Sequence, residues 1–171
     1  LSNIQKEAIS LAKKQRKSSE PSDVYAAYKV FEKAGLNKMR EKTMKHLMKI
    51  DPEHVELLQA LEEKNSIQKI YDANRQPTHE LALKELKKIS SELPKNESIR
   101  VQYELTVGRR YESMGNMEEA ISAKYKATKL KPNDSSLLNE FAYDAVLEGL
   151  MLNEALAASS RSIELTRTSQ L

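Results

Sequence analysis

The chain has few of the side chains that carry out acid–base, nucleophilic or metal chemistry. Its histidines are His46, His54 and His79, and it contains no cysteine. A metal ion needs several ligands to converge, as in a His-x-x-x-His pair on one helical face, and no such pair occurs. The absence of cysteine also excludes a disulfide framework and a thiol nucleophile. We therefore expect no metal site and interpret the histidines as surface residues.

The remaining groups with catalytic potential do not form a recognisable active site. Glutamates are adjacent at 62–63 and 118–119, but neighbouring residues on a helix point in different directions, whereas acid–base catalysis needs opposed carboxylates. The sequence has no glycine-rich phosphate loop and no Gly-x-Ser-x-Gly motif, and Ser159 and Ser160 have no histidine nearby. We expect a protein that is not an enzyme and that binds no cofactor.

The elements that must position any site are helices. Only 5% of the 171 residues are aromatic, there are four glycines, and 31% of the residues are charged, a mixture that favours helix over a β-sandwich. No stretch reaches the ~18 apolar residues that a membrane-spanning helix needs. Because the chain does not begin with Met, we expect it to be part of a longer protein. Hydrophobic periodicity and the glycines and prolines that end helices predict nine helices, at 2–17, 22–34, 38–50, 53–74, 78–92, 97–114, 118–130, 135–148 and 152–167.

One unit of helix, tight turn, helix and stop recurs along the chain. In the copy at 101–134, Gly115 ends one helix and Pro132 stops the next. Between them, apolar residues recur at helical spacing together with one lysine: Ala120, Ile121, Lys124, Ala127 and Leu130. The separation of 17 residues from Gly115 to Pro132 is repeated from Gly35 to Pro52. Recurrence at this scale predicts a repeat protein.

These residues and spacings resemble the tetratricopeptide repeat (TPR) family, most closely at 101–134. Small residues there let paired helices approach closely, an aromatic fills the gap between repeats, and proline ends the second helix. The positions that carry the resemblance are Phe31, Gly35, Pro52, Ala82, Pro94, Gly108, Tyr111, Gly115, Ala120, Ala127, Pro132, Ala142, Gly149 and Ala155. Pro77 stands where the second copy would have its turn glycine.

The resemblance implies an all-α fold, a right-handed superhelix of antiparallel helix pairs (an α-solenoid). We expect a single domain over 1–171, with a half repeat at 1–20 and four repeats at about 21–52, 53–96, 97–134 and 135–167. Both terminal repeats lack an obvious polar cap, so the sequence leaves a homodimer and a monomer open.

The same resemblance implies a protein-binding scaffold or adaptor that holds a peptide or a partner helix on its concave face. The side chains expected on that face are Tyr25, Lys29, Lys64, Ile67, Tyr71, Gln102, Leu105, Arg109, Glu112, Asn139 and Tyr143. The lysine and asparagine set with which chaperone-binding members grip a C-terminal carboxylate is missing, because its positions hold Tyr25, Lys29, Leu105 and Arg109. We predict no such clamp.

The charge distribution suggests a second function. Residues 1–50 carry a net charge of +7 and residues 51–171 a net charge of −4. A basic N-terminal third with Tyr25, Tyr28 and Phe31 between its lysine runs is compatible with a helical repeat that associates with nucleic acid. We rank a protein partner above nucleic acid, because basic residues alternating with apolar ones are typical of any amphipathic helix. A third alternative is an accessory domain of a larger enzyme.

Overall fold

The computed structural model describes residues 2–168, apart from the side chain of His54. These residues form nine α-helices and no strand. Every predicted helix is present, with ends that differ from the prediction by at most two residues, so the all-α class is confirmed. The helices are α1 (Asn3–Gln15), α2 (Pro21–Lys33), α3 (Asn37–Ile50), α4 (Pro52–Asn74), α5 (His79–Ser90), α6 (Glu97–Ser113), α7 (Met117–Leu130), α8 (Ser135–Leu147) and α9 (Leu152–Thr168).

Polar side chains cap the N-terminal ends of several of these helices. The side chains of Ser2, Thr78, Asn96 and Asp134 each accept a hydrogen bond from the backbone N–H three residues later, at distances of 3.0 to 3.3 Å. Each bond satisfies a donor that the first turn of a helix leaves without a partner. Among the prolines predicted as stops, Pro52 is the first residue of α4, while Pro94 and Pro132 follow the ends of α5 and α7.

The same turn joins α2 to α3, α6 to α7 and α8 to α9. The turn glycines Gly35, Gly115 and Gly149 have positive φ angles of 65°, 76° and 67°. In each turn the backbone N–H after the glycine donates to a carbonyl five residues back, at 2.9 Å: Leu36 to Phe31, Asn116 to Tyr111, and Leu150 to Ala145. A glycine adopts this left-handed conformation without the steric cost that a Cβ adds. The repeated spacing in the sequence therefore corresponds to a repeated backbone turn.

The chain forms two compact units, Leu1–Glu62 and Glu63–Leu171. In the first, α1 packs on α2 and α2 on α3. Its core has two clusters: Ala12, Ala27 and Phe31 between α1 and α2, and Val24, Leu47, Val55 and Leu58, which bring the first part of α4 onto α2 and α3.

In the second unit, α5 packs on α6, α6 on α7, α7 on α8 and α8 on α9. Ile70 and Ala73 of the later part of α4 join Leu86 and Ile99 in one cluster. Ile121 of α7 and Phe141 of α8 belong to a second hydrophobic cluster. Sequential helix pairs, each in contact with the next, are the helical-repeat pattern. The predicted single domain, its repeat boundaries and its handedness stay predictions.

The small and aromatic repeat positions lie mostly inside the units. Phe31, Ala82, Gly108, Ala120, Ala127, Ala142 and Ala155 are buried, and Tyr111 is half-buried. A Cβ on Gly108 would lie 3.2 Å from the Ala120 carbonyl oxygen, so this glycine marks the close approach of α6 and α7. Within residues 2–168, no helix combines the length and the apolar character needed to cross a membrane.

Candidate functional site

Lys124 of α7 is a buried cation surrounded by carboxylates from two other helices. Its side chain is 9% exposed. The ammonium nitrogen donates a hydrogen bond to Asp144 of α8 and lies 3.7 Å from an oxygen of Glu140 on the same helix. An oxygen of Glu112 on α6 lies 3.6 Å from the same nitrogen. We call Lys124, Glu112, Glu140 and Asp144 the Lys124 cluster.

Gly108 of α6 makes room for the Lys124 side chain where α6 packs closely on α7. The nearest side-chain atoms that a Cβ on Gly108 would meet are Ala123 Cβ at 3.5 Å and Lys124 Cγ at 3.7 Å. The aliphatic stem of Lys124 therefore runs over the position where Gly108 has no side chain. A lysine commonly buries its stem in this way while its charged end reaches polar partners.

Electrostatics keep the lysine charged. Burial alone lowers the pKa of Lys124, but the hydrogen bond to Asp144 and the charges of Asp144, Glu112 and Glu140 together raise that pKa above its ordinary value. Three carboxylates around one ammonium leave the cluster with a net charge of −2. Glu112 and Glu140 remain 47% and 58% exposed, so much of this negative charge faces solvent.

Exposed apolar groups adjoin the cluster on α8. Tyr143 is 64% exposed and Leu147 is 65% exposed. Residues 140, 143, 144 and 147 follow one another at helical spacings of three and four, so they share one face of α8. We define the α6–α8 surface as Glu112 of α6 together with Glu140, Tyr143, Asp144 and Leu147 of α8. Exposed aromatic and charged side chains of this kind are common at binding interfaces.

The structure distributes the predicted binding residues over several places. On α6, Arg109 and Glu112 are exposed, Gln102 is half-buried, and half-buried Leu105 packs against the cluster of Val101, Ala127 and Leu137. On α8, Asn139 and Tyr143 are exposed, and on α4, Lys64 and Tyr71 are exposed while Ile67 is half-buried. Of this set, Glu112 and Tyr143 belong to the α6–α8 surface. The binding roles stay predictions.

Tyr25 and Lys29 belong instead to an aromatic group on α2. The rings of Tyr25 and Tyr28 are stacked with centroids 6.4 Å apart, and the Lys29 ammonium lies 5.7 Å and 5.8 Å from the two centroids. Lys29 also pairs with Glu32 at 2.9 Å. This placement gives Lys29 an acidic partner within its own helix.

Sequence reasoning missed three members of the Lys124 cluster: Lys124, Glu140 and Asp144. The signal that points to Lys124 is its register, because it falls among apolar residues that face the core. A lysine at such a position needs acidic partners. Which carboxylates supply them depends on the packing of α6 and α8 against α7, and local spacing does not contain that information.

A second polar cluster lies in the first unit. The hydroxyl of buried Tyr28 donates a hydrogen bond of 2.7 Å to Glu62 of α4, and Arg40 of α3 pairs with the same carboxylate oxygen at 3.2 Å. We call Tyr28, Arg40 and Glu62 the Glu62 cluster. Its two formal charges cancel, and it links α2, α3 and α4.

Four lysines form an exposed line along α3: Lys38, Lys42, Lys45 and Lys49. Their spacings of four, three and four residues put them on one face of the helix. Two of the aromatic side chains predicted to accompany them, Tyr28 and Phe31, are buried. Those two rings therefore do not offer a stacking surface for bases.

The two histidines whose side chains are described are held by protein groups. His46 Nε2 lies 2.8 Å from the Ser18 carbonyl oxygen. His79 Nδ1 lies 3.2 Å from a guanidinium nitrogen of Arg110, which donates to it. The side chain of His54 lies outside the described part of the structure. Among the described residues, no group of three or more histidine, aspartate or glutamate side chains is placed to hold a metal ion.

Comparison with known proteins leaves the family open. No family model matches the chain, and no curated protein matches it. Similar solved structures include a crystal structure of MamA, with 16% identity over 97% of this chain and 91% of that chain and a TM-score of 0.46. Another is MamA 41-end from Desulfovibrio magneticus RS-1, with 16% identity over 97% of this chain and 88% of that chain and a TM-score of 0.43. TM-scores this low carry no argument about function, and membership in the TPR family stays a prediction.

Proposed function

We propose that the protein is a non-catalytic binding module that holds a basic segment of a partner protein on the α6–α8 surface. The observation that carries the proposal is the charge surplus of the Lys124 cluster beside an exposed aromatic ring. One ammonium compensates one of the three carboxylates, so a partner lysine or arginine gains attraction there without displacing a native ion pair.

The apolar part of the surface supplies the second contact. Tyr143 presents most of its ring to solvent, and Leu147 lies one turn further along the same face. A partner side chain that covers them is removed from water, and a partner cation over the Tyr143 ring adds a cation–π contribution of about 0.5 to 1 kcal/mol at an exposed site. The surface therefore favours a segment in which a basic residue adjoins an apolar one.

Peptide binding tests this proposal. Short synthetic peptides that combine lysine or arginine with leucine or phenylalanine are compared, by fluorescence anisotropy, with versions in which every basic residue is replaced by glutamate. We expect the basic peptides to bind and the acidic versions not to. Glu140→Lys should weaken binding by about tenfold, because it cancels the charge surplus. Tyr143→Ala should weaken it severalfold through lost contact area.

Glu56→Lys is the matched control, because it makes the same charge change at an exposed position of α4. It should alter affinity by less than about twofold, since Glu56 is not part of the α6–α8 surface and salt screens exposed charges that make no direct contact. Preference for the acidic peptides would contradict the proposal. So would equal losses in Glu140→Lys and Glu56→Lys, because binding would then follow the overall charge of the protein and not this surface.

A second candidate function rests on the exposed lysine line of α3. Lys38, Lys42, Lys45 and Lys49 are spaced to follow a polyanion such as a nucleic-acid backbone. Its test is binding of single-stranded and duplex oligonucleotides over a range of salt concentrations. Nucleic-acid binding predicts a linear fall of log affinity with log salt, with a slope reduced by about 1 in Lys42→Ala. The same slope in Lys42→Ala and wild type would remove α3 as the contact. The control is Lys84→Ala, an exposed lysine of α5.

A further inference from the structure

Helix α6 carries three arginines, and two of them are bound to other parts of the second unit. Arg100 donates hydrogen bonds of 2.9 and 3.0 Å to backbone carbonyls at and just after the end of α5. The Arg110 guanidinium donates to the side chain of Asn74 on α4, at 2.6 Å. Arg109 is exposed, and its guanidinium has no hydrogen bond or ion pair with any other described residue. Helix α6 therefore presents one cation that the packing of the unit does not use.

The packing of the second unit shows that α6 and α8 run in the same direction. Val101, early in α6, and Leu137, early in α8, belong to one hydrophobic cluster. Glu112, late in α6, and Asp144, late in α8, both reach the ammonium group of Lys124. The starts of the two helices therefore lie at one end of the α6–α8 surface, and their later turns lie at the other.

Arg109 lies one turn before Glu112, on the side of the α6–α8 surface that is nearer the helix starts. Residues three positions apart are neighbours on a helix, with Cβ atoms about 5 to 6 Å apart. On the same side of α8, Ser136 and Asn139 are exposed and uncharged. Negative charge therefore lies at one end of the surface, and the cation of Arg109 lies beside it toward the other end.

We propose that Arg109 binds an acidic side chain that the partner segment carries close to its basic residue. This inference rests on the proposed function, because the basic residue of the partner occupies the acidic end of the surface. A guanidinium holds a carboxylate through charge-assisted hydrogen bonds, and its fork of N–H groups matches both carboxylate oxygens. The partner is therefore a segment of mixed charge.

The spacing of the two contacts limits the sequence of the partner. Side chains that share a face of an extended segment are two residues and about 7 Å apart, and in a helix they are three or four residues and about 5 to 6 Å apart. The acidic and basic residues of the partner are therefore separated by two, three or four positions. A segment bound in the reverse direction brings like charges together, so the pair of contacts also fixes its orientation.

Peptides that differ in a single residue test this proposal. Basic peptides of the kind described above are made with a glutamate two, three or four positions from the basic residue, on either side, and with glutamine in its place. By fluorescence anisotropy, wild type should bind the best-placed glutamate version about two- to fivefold more tightly than its glutamine version. Arg109→Glu should reverse that order, because its carboxylate repels the glutamate. It should still bind the glutamine version, because the Lys124 cluster is intact.

Lys84→Glu is the control, because it makes the same change of two charge units at an exposed position of α5. It should keep the preference of wild type. The proposal would be overturned if glutamate improved binding to wild type at no placement, or if Arg109→Glu kept the wild-type preference. Either result leaves the proposed function standing where Glu140→Lys still weakens binding of the basic peptides. A wild-type protein that binds neither version would overturn both proposals.

Discussion

The Glu62 cluster and the Lys124 cluster both place polar groups between packed helices, but the two clusters differ in charge balance. Each joins three helices within its unit around a buried or half-buried polar group, Lys124 in one and Glu62 in the other. In the Glu62 cluster one carboxylate meets one guanidinium and one phenol, so the formal charges cancel. In the Lys124 cluster three carboxylates meet one ammonium. The comparison teaches that a balanced cluster leaves no net charge at the surface, whereas an unbalanced one leaves negative charge that faces solvent.

Removing the ammonium group of Lys124 should cause the largest loss of stability among these predictions. Lys124→Met keeps much of the stem but leaves Asp144 without its hydrogen-bond donor and three carboxylates close together. We expect the free energy of unfolding at neutral pH to fall by about 2 to 3 kcal/mol. Urea unfolding followed by circular dichroism measures it.

The pH dependence of that loss identifies its cause. In wild type the pKa of Lys124 is raised above its ordinary value of 10.5, so its ammonium stabilises the fold fully below that value. This stabilisation is lost as the pH rises through the pKa of the folded state, so the difference between wild type and Lys124→Met should shrink in strongly alkaline solution. A loss in Lys124→Met that stays the same in alkaline and neutral solution would indicate lost packing.

Glu62→Gln should have a smaller effect. The amide oxygen still accepts from Tyr28, but Arg40, whose side chain is 25% exposed, loses its only anionic partner among the described residues. We expect a loss of about 1 to 2 kcal/mol in the free energy of unfolding. High salt should reduce this loss only slightly, because the pair is partly buried. A loss abolished by salt would show that the pair behaves like an exposed one.

Tyr28 should reveal the Glu62 cluster by its titration. Burial, and next the hydrogen bond to Glu62, raise the pKa of Tyr28 above its ordinary value of 10.0. Because the folded state holds this proton more tightly, the stabilisation is complete below the unfolded pKa and declines as the pH rises above it. Tyr28→Phe should therefore leave the tyrosinate absorbance of the native protein at about pH 11 unchanged. A lower tyrosinate absorbance in native Tyr28→Phe than in native wild type would contradict the buried hydrogen bond.

The fold was accessible from the sequence because its determinants are local. Gly35 and Gly115 mark turns that a positive φ angle requires, and apolar periodicity marks the helices between them. The Lys124 and Glu62 clusters were harder to predict from the sequence. The register of Lys124 signals a need for acidic partners, but Glu140 and Asp144 are supplied by another helix through packing. Tyr28 was predicted beside a basic surface, and its bond to Glu62, 34 residues away, depends on tertiary contacts.

Glu140→Gln, unfolded with urea beside Glu62→Gln, tests most directly whether the Lys124 cluster holds more negative charge than its packing needs. Each change removes one carboxylate charge from a polar cluster. If Glu140 is surplus to packing, Glu140→Gln should change the free energy of unfolding by less than about 0.5 kcal/mol, or increase it by relieving repulsion, while Glu62→Gln costs more. A loss in Glu140→Gln as large as that in Glu62→Gln would show that the third carboxylate is needed for folding, and would contradict a charge surplus that is available to a partner.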